Sequence, residues 1–321
     1  VRPLIGQAAP TVDRSPHKER FIDVGAGVRL QVLDWGGKGR TVVLVPGYGL
    51  NAHIYDDFAP RLAGKFRVIA VTLRGWAPSD APPTGYTNQT AAHDIVAILD
   101  TLRVDQADLI GHSFGGDIIT KVATEYPRRV RALVYLDAAF AIPGRDSVWA
   151  LQPLQRPPPA PPAKPIATLA DYVAWYRAYA GEYIYGLWTP ALENELVSRL
   201  SGQTPAQMAK RDSLTSLYGR EAPADSLRID YSAVSQPALA ICAIATPKTL
   251  YPWLTADSTR WAAATTFADS VLAPFLRREC TAFRDQARAG TTTMLDSTHY
   301  VFIYRLEDSV QSTVAFLSSQ R

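Results

Sequence analysis

The alternation of short apolar runs with helical patterns constrains this chain most. Residues 41–45, 66–73, 107–110 and 130–136 are largely apolar and rich in β-branched side chains, as in strands buried on both faces. Helical patterns stand between them at 53–62, 90–102 and 117–123. In 90–102, Ile95, Ile98, Leu99 and Leu102 fall on one stripe. This order predicts a parallel sheet covered by helices on both faces. In such sheets ligands sit outside the carboxyl ends of the strands. Gly47, Trp76, Ser113 and Asp137 each follow a predicted strand end, so they should converge on one crevice. Upstream, residues 20–24 and 28–35 read as antiparallel strands joined by the Gly25-Ala26-Gly27 turn.

The alternation stops near residue 140. Residues 152–165 contain Pro157-Pro158-Pro159 and Pro161-Pro162, an extended connector. Helical patterns follow at 169–185, 190–200 and 205–218. Strand character resumes at 237–244, and a second insertion is expected at 246–267. A long helix at 268–289, a strand at 291–295 and a helix at 305–318 close the chain. The reading is an N-terminal arm over 1–18, one α/β core made of 19–140 and 236–321, and a helical cap inserted over 141–235.

The chemistry centres on Gly111-His112-Ser113-Phe114-Gly115-Gly116, between an apolar run and a helical pattern. That strand–turn–helix context gives a G-x-S-x-G pattern its meaning. A serine nucleophile must project clear of the backbone, and the sharp turn that does this leaves no room for side chains at Gly111 and Gly115. The hydroxyl needs a base, and the base needs an orienting group. Of the five histidines, His299 follows the last predicted strand, where a loop can hang an imidazole over the turn. His112 reads as packing at the turn, His53 as a border of the pocket, and His17 and His93 as surface or packing residues.

With a net charge of +3 and no Lys/Arg run, nucleic acid is excluded as an expected partner. No apolar run is long enough for a membrane span. No dedicated zinc spacing and no phosphate-binding Gly loop is evident, so neither metal nor cofactor is expected. The first residue is Val1, and a polar, Pro-containing start suits the mature end of an exported protein. Cys242 and Cys280 could pair in an oxidising compartment.

Taken together, the chain resembles the α/β-hydrolase fold family. The residues that carry this are Val45-Pro46-Gly47-Tyr48-Gly49, Leu73-Arg74-Gly75 with Ser79-Asp80, the Gly111–Gly116 turn, Leu136-Asp137 and His299. Thr72 departs from the acidic residue often found before Arg-Gly. The resemblance implies a mostly parallel eight-stranded sheet, a cap after the sixth strand, and a nucleophile, acid, base order of Ser113, a carboxylate and His299. The family commonly places the acid after the seventh strand, but residues 243–248 offer no carboxylate. Some members place it after the sixth, where Asp137 stands. Asp257 is the next candidate, ahead of Asp269 and Asp296.

Oxyanion donors are expected at the Tyr48 and Phe114 N–H groups. The aromatic-rich cap puts Trp175, Tyr176 and Trp188 forward as pocket walls beside Gly47, Trp76 and His53. The expected function is a serine hydrolase cleaving a carboxylic ester or lactone with a bulky apolar or aromatic group. The alternatives are an amidase or peptidase, a carbon–carbon bond hydrolase with the same residues, or a non-catalytic ligand-binding protein. The expected partner is a small ester-type molecule, and the assembly a monomer or homodimer.

Overall fold

A computed structural model describes residues 13–202, 230–254 and 258–320. The predicted helix at 205–218 and the alternative acid Asp257 lie outside the described residues. Eight strands form one sheet: β1 Lys18–Asp23, β2 Arg29–Gly36, β3 Thr41–Val45, β4 Arg67–Val71, β5 Ala107–His112, β6 Val130–Leu136, β7 Ala238–Ile244 and β8 Gly290–Asp296. Their order is β1-β2-β4-β3-β5-β6-β7-β8. β1 pairs antiparallel with β2, and β2 with β4, while every later pairing is parallel. The expected sheet is therefore present.

The helices in chain order are α1 Ala59–Leu62, α2 Asn88–Thr101, α3 Phe114–Glu125, α4 Arg145–Ala150, α5 Leu169–Tyr183, α6 Pro190–Leu200, α7 Pro247–Leu250, α8 Ser258–Phe267, α9 Ala273–Gln286, α10 Val301–Tyr304 and α11 Leu306–Ser319. The period of two in a strand divides its side chains between two cores. Val43, Val45, Ile69 and Val71 face one core with Ile98 of α2, Val122 of α3 and Phe283 of α9. Val42, Leu44, Val68 and Ala70 face the other with Leu62 of α1 and Leu317 of α11. Each fully buried Val or Leu contributes roughly 1.5–3 kcal/mol, which is why these strands read as unbroken apolar runs.

Helices α4 to α6 lie between β6 and β7 as the inserted cap. The capping box of Thr168 and Asp171 starts α5, and Thr189 caps α6 with Pro190 behind it. Two helices differ from the sequence expectation. The single helix at 53–62 is instead a 3-10 turn, Ala52–Tyr55, followed by α1. The long helix at 268–289 begins as a π-helical turn, Ala268–Leu272, with Pro274 at the start of α9. Proline lacks the N–H that an unbroken helix needs.

Cys242 of β7 and Cys280 of α9 form a disulfide, with Cα atoms 6.2 Å apart. It closes a sequence separation of 38 residues. On the loop-entropy relation the Cys242→Ala/Cys280→Ala double variant loses about 2–4 kcal/mol. Denaturant titration checks this, and an unfolding midpoint equal to the parent's would refute it.

Candidate active site

The glycines of the turn are required by contact. A Cβ on Gly111 would stand 2.4 Å from the Gly115 carbonyl oxygen, and one on Gly115 would stand 2.2 Å from that of Val45. This close packing of β5, α3 and β3 leaves Ser113 at φ 50°, ψ −122°, an uncommon backbone state for a side chain other than glycine. Ser113 stands directly before α3, as the residue that opens the helix. The loop after β3 lies against the same turn: a Cβ on Gly47 would be 3.1 Å from Ser113 Cβ. The Tyr48 ring meets Phe114 and Trp76 edge-on, at 5.8 and 5.1 Å between centroids.

Asp137 follows β6 with φ 43°. Its Oδ2 lies 2.6 Å from His299 Nδ1, and its Oδ1 accepts the Ala243 N–H at 3.0 Å. The Asp137 N–H donates to the Ile241 carbonyl at 2.8 Å, so β7 fixes both its backbone and its side chain. Burial alone would raise the Asp137 carboxyl. The hydrogen bond and charge of His299, the Arg145 charge and the Ala243 N–H outweigh it and hold the group below the ordinary carboxylate value. Of the sequence candidates for the acid, the structure brings Asp137 to His299.

His112 is buried under the site. Its ring packs on His299 with centroids 4.6 Å apart, and its Nε2 lies 3.2 Å from the His299 carbonyl oxygen. Burial and the His299 charge push its value well below the ordinary imidazole value. A neutral His112 can donate its Nε2–H to that carbonyl and steady the loop that carries His299.

Ser113, Asp137 and His299 line one cavity of about 770 Å³. Its aromatic walls are Phe140, Trp149, Trp253 and Tyr300, and its polar ones include Arg145, Gln152 and Arg156. The aromatic residues expected there lie elsewhere. Trp175 donates its indole N–H to the Ala160 carbonyl at 2.8 Å, and Tyr176 stacks on Tyr172 within the cap's own core. Trp188 donates to Glu193 at 3.1 Å. Trp76 is buried against Tyr48, and His53 sits in a separate cluster with His17, Asp13 and Asp56. None of Gly47, Trp76, His53, Trp175, Tyr176 or Trp188 is among the cavity's lining residues.

Sequence reasoning missed a part-buried ion pair beside the acid. Arg145, the first residue of α4, pairs with Glu279 of α9 and stands 3.7 Å from Asp137 Oδ2. Burial raises Glu279 to about 7, Asp137 adding to the rise and Arg145 opposing it. The only sequence signal was a charged residue just after Pro143-Gly144. Its partner lies 134 positions away.

Residues 40–208 match the family model for the alpha/beta hydrolase fold. With its mostly parallel eight-stranded sheet and inserted cap, the protein belongs to the α/β-hydrolase fold family. Among relatives, it is 36% identical over 147 residues to a 2-hydroxymuconate semialdehyde hydrolase of Pseudomonas sp. (strain CF600), across 43% of this chain and 51% of that protein. It is 35% identical over 118 residues to a 2-(acetamidomethylene)succinate hydrolase of Mesorhizobium japonicum, across 37% of this chain and 42% of that protein. The chain thus spans about half the length of these curated relatives. The crystal structure of an E-2-(acetamidomethylene)succinate hydrolase superposes with a TM-score of 0.62 at 22% identity, covering 94% of this chain and all of that one. Among the described residues no helix is long and apolar enough to cross a membrane.

Proposed function

We propose that this chain is a serine hydrolase that cleaves a carboxylic ester or lactone bearing a bulky apolar or aromatic group. The observation that carries the proposal is the 2.6 Å contact of His299 with Asp137, in the cavity that Ser113 also lines. Ser113 Oγ attacks the carbonyl carbon as His299 takes its proton. The Tyr48 and Phe114 N–H groups receive the oxyanion. The carbonyl re-forms, the bond to the leaving oxygen breaks, and His299 returns the proton to the alcohol. Water, deprotonated by His299, then releases the acid and restores Ser113. Asp137 keeps the His299 proton on Nδ1 and stabilises the imidazolium. The walls Phe140, Trp149 and Trp253 support an apolar or aromatic acyl or alcohol group. The disulfide supports an oxidising, exported setting.

The names of the two relatives favour one second reading, in which the same residues cleave a carbon–carbon bond or an amide. A panel of p-nitrophenyl esters of graded chain length, matched anilides and 2-hydroxymuconate semialdehyde separates the two. The first reading expects kcat/KM for the best ester to exceed its anilide by about 100-fold or more, the factor of an interaction worth some 3 kcal/mol. Absence of ester turnover with cleavage of either other substrate would replace it.

A further inference from the structure

We propose that Asp13, His17, His53 and Asp56 form a zinc site on the body of the protein, apart from the Ser113 cavity. Each residue offers one ligand atom, and these atoms all lie within 4.8 Å of one another. His17 Nε2 is 2.9 Å from Asp13 Oδ2 and 3.5 Å from Asp56 Oδ1. His53 Nδ1 is 3.4 Å from Asp13 Oδ2 and 3.0 Å from Asp56 Oδ2. A tetrahedron with metal–ligand bonds of about 2.0–2.1 Å has edges of about 3.3–3.4 Å. The separations bracket that length, but Asp56 meets the two rings through different oxygens, Oδ1 toward His17 and Oδ2 toward His53, so an ion seated on Oδ1 requires that carboxylate or the His53 ring to turn. Two imidazoles and two carboxylates suit zinc, whereas calcium and magnesium take oxygen ligands. The two carboxylates balance the ion's charge.

A second observation points the same way. Asp56 Oδ1 is buried without a hydrogen-bond partner and faces His17 Nε2. The Asp56 side chain is only 1% exposed. A carboxylate oxygen left so is costly unless a cation completes it. The surroundings hold the ligands in place. Asn194 of α6 donates through Nδ2 to Asp13 Oδ1 at 3.0 Å and to Asp56 Oδ2 at 2.8 Å. Asn51 accepts the His53 N–H at 3.1 Å and so starts the 3-10 turn that carries His53 and ends at Asp56. Such partners beyond the ligands orient metal sites. His53 Nε2 lies 3.4 Å from Gln31 Nε2, so metal on Nδ1 requires the Gln31 amide to turn its oxygen toward that ring.

Asp13 and His17 come from the N-terminal segment, His53 and Asp56 from the turn after the Gly47 loop, and Asn194 from the cap. The ion would therefore pin arm, body and cap together and act on stability. Its binding is independent of the hydrolytic chemistry proposed above.

The test is calorimetric titration of Zn²⁺ into tag-free, EDTA-stripped, full-length protein, with thermal unfolding alongside. One equivalent is expected to bind, and Tm should rise by about 4 °C at a hundredfold excess over Kd. His17→Gln and the more exposed Asp13→Asn should each weaken binding at least about 10-fold, while Ser113→Ala binds as the parent does. Co²⁺ should give the intense visible bands of a tetrahedral site. No binding by the parent protein would overturn the proposal and leave two His–carboxylate pairs. So would undiminished binding in Asp13→Asn and His17→Gln, which would put the ion elsewhere.

Discussion

Ser113→Ala is expected to lower kcat by about 10⁵–10⁶-fold with the fold unchanged. The hydroxyl is the atom that forms the new bond, and no neighbour can replace it. His299 and Asp137 would remain, but a base without a nucleophile gains little over water attack assisted by the oxyanion donors. Stability should hardly change. Ser113 makes no side-chain hydrogen bond that caps α3, and alanine at φ 50° meets strain like that of serine, since both carry a Cβ. Single-turnover kinetics and mass spectrometry after fluorophosphonate treatment give the readout. The parent should gain one adduct on Ser113 and the variant none. Activity within tenfold of the parent's would end the acyl-enzyme mechanism. So would labelling that survives the substitution together with activity.

The sheet was legible because its central strands, β3 to β7, are buried on both faces. Residues 41–45 and 130–136 appear in the structure with the boundaries read from the sequence, β3 and β6. Ser113, Asp137 and His299 were legible as candidates for a related reason. Each directly follows a strand or a strand's end loop, and parallel strands deliver such positions to one edge of the sheet. The pocket wall was not legible. Aromatic side chains in the cap served the cap's own packing: Trp175, Tyr176 and Trp188 bury against Tyr172, Leu196 and their neighbours. The aromatics that reach the cavity, Phe140, Trp149, Trp253 and Tyr300, stand in segments that follow β6, β7 and β8, where strand periodicity carries little information. The Arg145–Glu279 pair and the Asp13, His17, His53, Asp56 cluster share a different difficulty. Each joins separate segments, and no spacing rule within one segment reveals a contact that only folding creates.

Asp137→Asn is expected to lower kcat about 10⁴-fold, or roughly 5.5 kcal/mol in the barrier, with KM little changed. The direction follows from the hydrogen bonds around the side chain. The Ala243 N–H points at Oδ1 from 3.0 Å and will select the amide oxygen of asparagine for that position. The amide NH₂ is then turned toward His299 Nδ1, in place of the oxygen now 2.6 Å away. A donor there forces Nδ1 to accept, so the ring proton moves to Nε2 and no lone pair is left to receive the Ser113 proton. Arg145, 3.7 Å from Oδ2, opposes this orientation, but at that distance it makes no hydrogen bond to set against the one from Ala243. The pH dependence has a definite sign. Because Asp137 is held below the ordinary carboxylate value, its contribution to folding is present above about pH 4 and is lost only as pH falls through the lower folded value. The parent should therefore resist acid better than the asparagine variant until that range is reached. Asp257→Asn is the paired control, with kcat expected within about twofold of the parent's, since His299 already has Asp137 as its carboxylate partner. Initial rates across pH for both variants decide the matter: a loss of four decades in Asp257→Asn and none in Asp137→Asn would move the acid to the other carboxylate.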